Sequence, residues 1–568
     1  MRRRGIVVGA GASGLMAAIA AAEAGAEVTV LEHMPRAGKK LLSTGNGKCN
    51  LTNLKLSAGC YRSGDPKFPM AVIGLFSVPE TLLFFRRLGV VTRDRNGYVY
   101  PASGQAQTVL DALKNRAEQL GVWIVAECGR EAFYLDGRKV YGEDFGAASE
   151  NFRGVTADGG LVGARRAGGG FSRFLAVTEK GSFHADFLIL STGSMAAKNT
   201  GSDGSGYGIA KAFGHKVNTP LPALVQLRCR GSFFKALAGV RTEGRVSLYE
   251  GKKNGRFLAA DEGEIQLTEY GISGIPVFQV SRFASEALFR GRAVTAVLDF
   301  FPSLSGEELR LELMRQKQFL AGSAAEEFLN GFFHKKLAAV LLKQAGIGKE
   351  RLVDSLTERE ISGLARLIKE FEVTVEAVNS YDQAQVCMGG VEVREIDPQT
   401  MESRLVPGLY LCGELVDVDG ICGGYNLQWA WSSGYVAGCA AAASAGRFAR
   451  GAVEPVTRSV AARETALPGD GLERGMAEPA VRRPNGKFAH GPVGAAARRS
   501  GNGSAHGATA PAGSKSGTGR ARGAGRVPGG PAAKASAGRR KKAAGSLPPN
   551  GSPAGKRNGA SGRRGKKK

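Results

Sequence analysis

Residues Arg4 to Glu32 read RGIVVGAGASGLMAAIAAAEAGAEVTVLE, and the fold is decided by how this stretch is punctuated. Ile6-Val7-Val8 is a β-branched run without a polar break, the pattern of a strand buried on both sheet faces. Gly9-Ala10-Gly11-Ala12-Ser13-Gly14 comes next, a G-x-G-x-x-G between that strand and an Ala-rich helix. In such a turn Gly9 permits the bend, Gly11 lets backbone approach a pyrophosphate, and Gly14 lets helix and strand pack closely. Ala12 and Ser13 supply N–H groups at the helix N-terminus, where the partial positive charge suits phosphate. The helix is predicted to run to about Glu23, with Gly25 just beyond its end. A second strand, Glu27 to Leu31, delivers Glu32 roughly 20 residues past the last glycine, where an acid accepts hydrogen bonds from an adenosine ribose. Strand, glycine turn, helix and acid together indicate a dinucleotide site in a parallel α/β sheet.

Working outward, PRAGKKLLSTGNGKCNLTN (Pro35 to Asn53) has the composition of backbone folded tightly against a ligand. Lys40, Gly45, Asn46, Gly47, Lys48, Cys49, Asn50 and Asn53 are its candidate contacts. Cys49 has no partner for a dithiol, so it reads as a packed thiol rather than a redox centre. Near the other end, Gly408 to Glu414 reads as a strand closing in Gly413-Glu414. Gly423-Gly424-Tyr425-Asn426-Leu427 then opens a helix with small residues on one face. The phosphates are already served by Gly9–Gly14, so this second uncapped terminus needs another electron-rich target. N1 and O2 of a reduced flavin provide one, which makes the expected dinucleotide FAD.

Between these ends the chain changes character several times. Residues 70–120 read as helical, with a turn at Tyr100-Pro101, and Val122–Val125 as a strand. Residues 136–175 are rich in Gly and Arg and read as a mobile excursion within a hairpin region. Asp186 to Leu190 is an apolar strand opening into Ser191-Thr192-Gly193, where α/β sheets place ligands. His215 ends the next helix and reads as a structural histidine. From Pro220, alternating stretches (Val246–Tyr249, Ala293–Phe300) indicate antiparallel strands, and Gly263–Ser281 a strand, a glycine turn and a Pro-started helix. Ser305 to about Val378 reads as helical. The expected division is a nucleotide-binding part at 1–219, a β-then-helical insert at 220–378, the returning nucleotide-binding part at 379–446, and a tail at 447–568.

The chain has 568 residues, 43% of them hydrophobic, and a formal net charge of +26. About 26 Lys and Arg against about 5 Asp and Glu lie in residues 447–568, leaving about +5 on the remainder. That Gly/Ala/Ser/Pro/Arg/Lys-rich tail cannot bury a core, so its composition predicts disorder. RRKK (Arg539–Lys542) and RRGKKK (Arg563–Lys568) make nucleic acid or another polyanion a candidate partner. The 8 cysteines contain no C-x-x-C, which argues against a zinc or dithiol site and for a reducing compartment. No apolar stretch is long enough to span a bilayer. Met1-Arg2-Arg3-Arg4 does not read as the start of a signal peptide, because Glu23 and Glu27 interrupt the apolar run behind it. The expectation is a soluble, cytoplasmic protein with no metal site. Nothing in the sequence fixes its oligomeric state.

With those residues in hand, the chain resembles the bacterial FAD-binding flavoproteins known as aminoacetone oxidase-like or BaiN/YhiN-like. The resemblance covers about Arg4 to Gly446. It rests on GAGASG with Glu32, GKKLLSTGNGKCNLTN, YVYPASGQAQTVLDAL, STGS with NTGSDGSGYG, LTEYGISG, MGGVEVREID, TMES and GLYLCGELVDVDGICGGYNLQWAWSSG. It implies a discontinuous Rossmann-like FAD-binding domain with an inserted β-barrel and helical part. It further implies that Glu32 binds the adenosine ribose, and that Gly45–Asn53 and Gly413–Leu427 surround the flavin. The chain departs from the family in residues 136–175, in its tail, and near Cys128–Arg130, where members usually carry a small apolar residue against adenine. The expected activity is FAD-dependent oxidoreduction of a small organic substrate, with NAD(P)H or dioxygen in the other half-reaction. The alternatives are an FAD-dependent RNA-modifying enzyme, or a non-catalytic flavin-binding protein docked on nucleic acid. No catalytic residue is assigned by the sequence.

Overall fold

The computed structural model describes residues 2–129, 131–142 and 172–443. The expectations for the tail, and for most of the Gly/Arg-rich excursion, lie outside the described residues.

The apolar run becomes strand β1 (Arg4–Val8), the Ala-rich segment helix α1 (Ala12–Glu23), and the next apolar run strand β2 (Glu27–Leu31). β1 lies mid-sheet in a five-stranded sheet ordered Leu409–Leu411, Phe187–Leu190, β1, β2, Trp123–Val125. All four pairings are parallel, with Val7 opposite both Ile189 and Val30. These strands are covered on both faces and need no polar side, and Phe187 through Leu190 are buried without interruption. Leu409–Leu411 comes from the far end of the described chain, so the sheet is completed only by the returning segment.

The helix Tyr425–Ala442 packs along α1 at backbone distance. A Cβ on Gly434 would lie 2.4 Å from the Ser13 carbonyl oxygen, and one on Gly438 2.2 Å from that of Ala17. Those contacts explain the small-residue face: a side chain there would hold the helices apart. An antiparallel sheet of Gly181–Ala185, Phe174–Thr178, Glu131–Leu135 and Arg138–Gly142 adjoins the parallel one in sequence.

The insert is a closed six-stranded barrel of Leu227–Cys229, Gly271–Gly274, Arg256–Thr268, Arg241–Glu250, Val294–Asp299 and Phe371–Val378. Two expectations change here. The helices Gly306–Phe319, Ala325–Phe328, Lys335–Gln344 and Glu358–Lys369 do not come after the barrel; they interrupt it between two neighbouring strands. Phe371–Val378 is the last barrel strand, not helix, with Phe371, Val373 and Val375 buried and Glu372, Thr374 and Glu376 exposed between them. Both long helices begin with capping boxes, Ser305 with Glu308 and Thr357 with Glu360. A third change concerns Tyr98–Pro101, where the Tyr-Pro pair predicts a turn. It is a strand, paired with Thr92–Arg95 and Thr52–Asn53. The chain leaves for the barrel along Val217–Ala223, which spans the first expected boundary of the insert, and returns along Val386–Val391, just past the second, the two paired antiparallel. Among the described residues no helix is long and apolar enough to cross a membrane.

Candidate functional site

A cavity of about 1100 Å³ opens at the carboxyl ends of the parallel strands, larger than the roughly 300–1000 Å³ typical of drug-sized ligands. One end is the first glycine turn. Gly9 adopts φ +98°, and a Cβ there would fall 2.6 Å from the Ser191 carbonyl oxygen. Gly11 faces open space, with nothing within 4 Å of an added Cβ, and no side chain caps α1. The first N–H groups of α1 are thus left for a ligand. Glu32 is 8% exposed and accepts from Ala10 N (2.8 Å) and Met34 N (2.8 Å), which fixes its carboxylate at the cavity wall. Glu131 lines the same cavity, its carboxyl pushed up to about 8 by burial and then by Glu179, Glu32 and Asp203.

Further along, Lys40 Nζ meets Glu414 Oε2 at 2.5 Å, and Ser194 Oγ donates to the same oxygen at 3.0 Å. This network joins the first loop to the end of strand Leu409–Leu411 through the cavity wall. The other end is the second glycine turn, on the helix Tyr425–Ala442, which also lacks a side-chain cap. Gly424 has φ +95°, and a Cβ there would fall 2.7 Å from the Thr52 carbonyl oxygen and 2.9 Å from Asn50 Oδ1. That Asn50 oxygen and Thr192 Oγ1 are buried without a protein partner, and both residues line the cavity. Buried polar atoms of this kind call for a ligand or water. Two open helix termini, an acid at the first and orphaned oxygens between them fit a phosphate-bearing cofactor with a polar ring.

Gly9, Gly11, Ala12, Ser13, Glu32, Lys40, Gly45, Asn46, Asn50, Glu414, Gly423, Gly424, Asn426 and Leu427 all line this one cavity. The remaining expected contacts lie elsewhere. Gly14 and Gly413 are packing positions, where a Cβ would fall 1.9 Å from Gly9 O and 2.2 Å from Ser13 Oγ respectively. Gly47 and Lys48 are exposed. Tyr425 is buried and donates its hydroxyl to the Lys55 carbonyl at 3.1 Å. Cys49 is fully buried, and burial pushes its thiol up to about 12, with a Thr44 hydrogen bond opposing. A thiol held protonated in that way is inert.

Other polar residues set the loops. Asn53 Nδ2 donates to Gly423 O at 2.9 Å, and the indoles of Trp429 and Trp431 donate to Gly413 O and Leu51 O, both at 2.9 Å. His215 is structural, bonded to Glu395 (3.0 Å) and Ser403 (2.8 Å) and absent from the cavity wall. Sequence reasoning missed the wall beyond the second glycine turn, formed by Tyr98, Tyr100, Leu224, Ile275 and Phe278 beside Cys422, which lies in the expected Gly413–Leu427 stretch. The alternation Tyr98-Val99-Tyr100 was a readable strand signal. The approach of Leu224 and Phe278 was not readable, since it depends on how the barrel docks.

The HI0933-like protein Rossmann domain family matches residues 3–161 and 161–440. A 3-dehydro-bile acid delta(4,6)-reductase of Clostridium scindens is 41% identical over 444 residues, which is 78% of this chain and 99% of that protein. Ribosomal RNA dihydrouridine synthases of Haemophilus influenzae and Escherichia coli are 28% and 26% identical, each over 76% of this chain and 96% of the relative. On matches that run through both halves of the parallel sheet and the barrel between them, the chain belongs to the HI0933-like Rossmann-domain family, and its activity is that of an FAD-dependent oxidoreductase.

Proposed function

We propose that the cavity holds FAD extended between its two glycine turns, and that the enzyme reduces a carbon–carbon double bond conjugated to a carbonyl. The ADP part lies on Gly9, Gly11, Ala12 and Ser13, with Glu32 on the ribose. The ring lies between the Gly45–Asn50 loop and Gly423–Leu427, where the open N-terminus of the last helix favours charge on N1 and O2. FAD when bound supplies the hydride chemistry. The protein's own groups orient it: the Lys40–Glu414 pair fixes the loops, the unpartnered Asn50 oxygen is left for the ring, and the buried Trp429 and Trp431 hold the loops from behind.

The observation that carries the substrate class is the apolar wall beyond the ring. Leu224, Ile275 and Phe278 line it, and Ile275, 53% exposed, leaves a greasy rim at the entrance. The relatives support the chemistry, since a Δ4,6 bile-acid enone and the double bond that a dihydrouridine synthase reduces are both conjugated to a carbonyl. The higher identity of the bile-acid enzyme, together with the apolar wall, favours a small ring ketone. NADH or NADPH is our reading of the electron donor, and the eight free cysteines support a cytoplasmic site. A uridine in RNA is the second reading, favoured by two relatives and by the basic residues 447–568.

The test is anaerobic. NADPH or NADH bleaches the flavin, and a 4-en-3-oxosteroid then restores its absorbance with formation of the saturated ketone. Reoxidation by a uridine-containing ribosomal RNA fragment, and not by the steroid, would replace this reading with the second one.

A further inference from the structure

We propose that Tyr98 and Tyr100 hold the substrate's carbonyl oxygen, their two hydroxyls donating to it while the neighbouring double bond is reduced. This rests on the enone reading above. The tyrosines are two apart on the strand Tyr98–Pro101, so their side chains leave the same face, and Val99 and Pro101 on the opposite face are buried. Both tyrosines line the cavity. The Tyr98 ring stands against the second glycine turn, where a Cβ on Gly423 would fall 2.6 Å from its Cε1. The Tyr100 ring stands by the first loop, with its Cε1 3.7 Å from a Cβ placed on Gly45. The pair therefore bridges the two loops assigned to the ring, on the side that continues to Leu224, Ile275 and Phe278.

Three other tyrosine hydroxyls are committed to backbone, whereas that of Tyr207, which is not on the cavity wall, is buried without a partner. Tyr61 donates to Tyr425 O (2.9 Å), Tyr381 to Pro220 O (2.8 Å) and Tyr425 to Lys55 O (3.1 Å). Tyr98 and Tyr100 make no such bond among the described residues. Burial comes first in holding both phenols above their ordinary range, followed by Cys422 for Tyr98 and by Tyr98 for Tyr100. Both are consequently O–H donors at neutral pH, and they meet the oxygen as neutral groups.

The chemistry needs such donors. A hydride from the reduced cofactor forms a C–H bond at the β carbon, the C=C pair moves towards the carbonyl, and charge gathers on the oxygen. The hydroxyls stabilise that oxygen. A proton from water then joins the α carbon, and the carbonyl is restored. The substrate gains one hydride, which carries both electrons, and one proton, and the tyrosines end as they began.

The test uses the FAD-loaded, oxidised, full-length protein, which has no hydride to give to an enone. 4-Androstene-3,17-dione and the hydrocarbon 5α-androstane are titrated into wild type, Tyr98→Phe, Tyr100→Phe and the double variant, and binding is read from the flavin absorbance. The expected result is that the diketone weakens at least ~threefold in each single variant and at least ~tenfold in the double. The hydrocarbon's affinity and the FAD content should stay unchanged. Equal weakening of ketone and hydrocarbon, loss of FAD, or no change for the ketone would overturn the assignment while leaving the enone reading in place. If wild type binds neither ligand, the enone reading falls and this assignment falls with it.

Discussion

Glu131 is the residue on which the cofactor end of the site turns with pH. Its carboxyl lines the cavity beside Glu32, and burial with three acidic neighbours raises it to about 8. Below that pH it is neutral and adds no charge to the end of the cavity proposed for the pyrophosphate. Above it a further negative charge appears. FAD retention should therefore weaken as pH rises past about 8, by at most about tenfold per pH unit for one proton. Glu131→Gln should flatten the curve while leaving retention at pH 7 near wild type. Dissociation constants from about pH 6.5 to 9.5, spanning the raised pKa on both sides, decide it. A variant with the wild-type slope would assign the dependence to another group. The place of Glu32 on the cavity wall was legible because it follows from the distance to the glycines. Glu131 was not, since nothing local in the sequence marks a carboxyl that is brought up against Glu179 and Asp203 from other segments.

Among elements, the closest fit is between α1 and the helix Tyr425–Ala442. Gly438 has no special backbone conformation, so a Cβ there is opposed by contact alone, 2.2 Å from Ala17 O and 2.9 Å from Ala20 Cβ. Gly438→Val should cost about 1–3 kcal/mol as the helices separate, with Gly438→Ala in between. Thermal unfolding followed through flavin release would measure this, and an unchanged midpoint for the valine variant would mean that the helices do not pack at this distance. The small-residue face of this helix was legible in the sequence because it is periodic. The ends of α1, β1 and β2 were legible too, each marked by a glycine or an apolar run. Phe371–Val378 was misread despite its alternation, because it comes directly after the amphipathic helix Glu358–Lys369. Tyr98–Pro101 was misread because Pro101 suggests a turn, although a strand end tolerates it.

For the molecule as a whole, what matters is how the barrel is fixed to the nucleotide-binding part. Arg282, on the barrel-side helix Ile275–Phe289, forks onto Asp419 with bonds of 2.9 and 3.1 Å. The Asp419 side chain is 4% exposed, and burial pushes its carboxyl up to about 6 against the pull of Arg282. Arg282→Met leaves that acid buried without its cation and should destabilise the protein by about 3–5 kcal/mol. Adding Asp419→Asn should recover much of the loss, because removing both charges removes the unpaired one. Denaturant midpoints of the two single variants and the double test this, and strict additivity would show that the pair is not coupled. The discontinuous sheet was legible from the two glycine motifs at opposite ends of the described chain. The helices interrupting the barrel were not, since strand neighbours far apart in sequence leave no local trace.

That discontinuity also sets an order of events at the ribosome. Strand Phe187–Leu190 waits for Leu409–Leu411, roughly 220 residues later, a delay of about 10–45 s at ~5–20 residues per second. Until then one edge of a wholly apolar strand stays open, an invitation to pair with another chain. The barrel must emerge, and close with Phe371–Val378, before the nucleotide-binding part can finish. The second glycine turn arrives later still. If FAD lies between the two turns as proposed, a nascent chain offers it only half a berth, and cofactor capture becomes the last act of biogenesis rather than a guide to it.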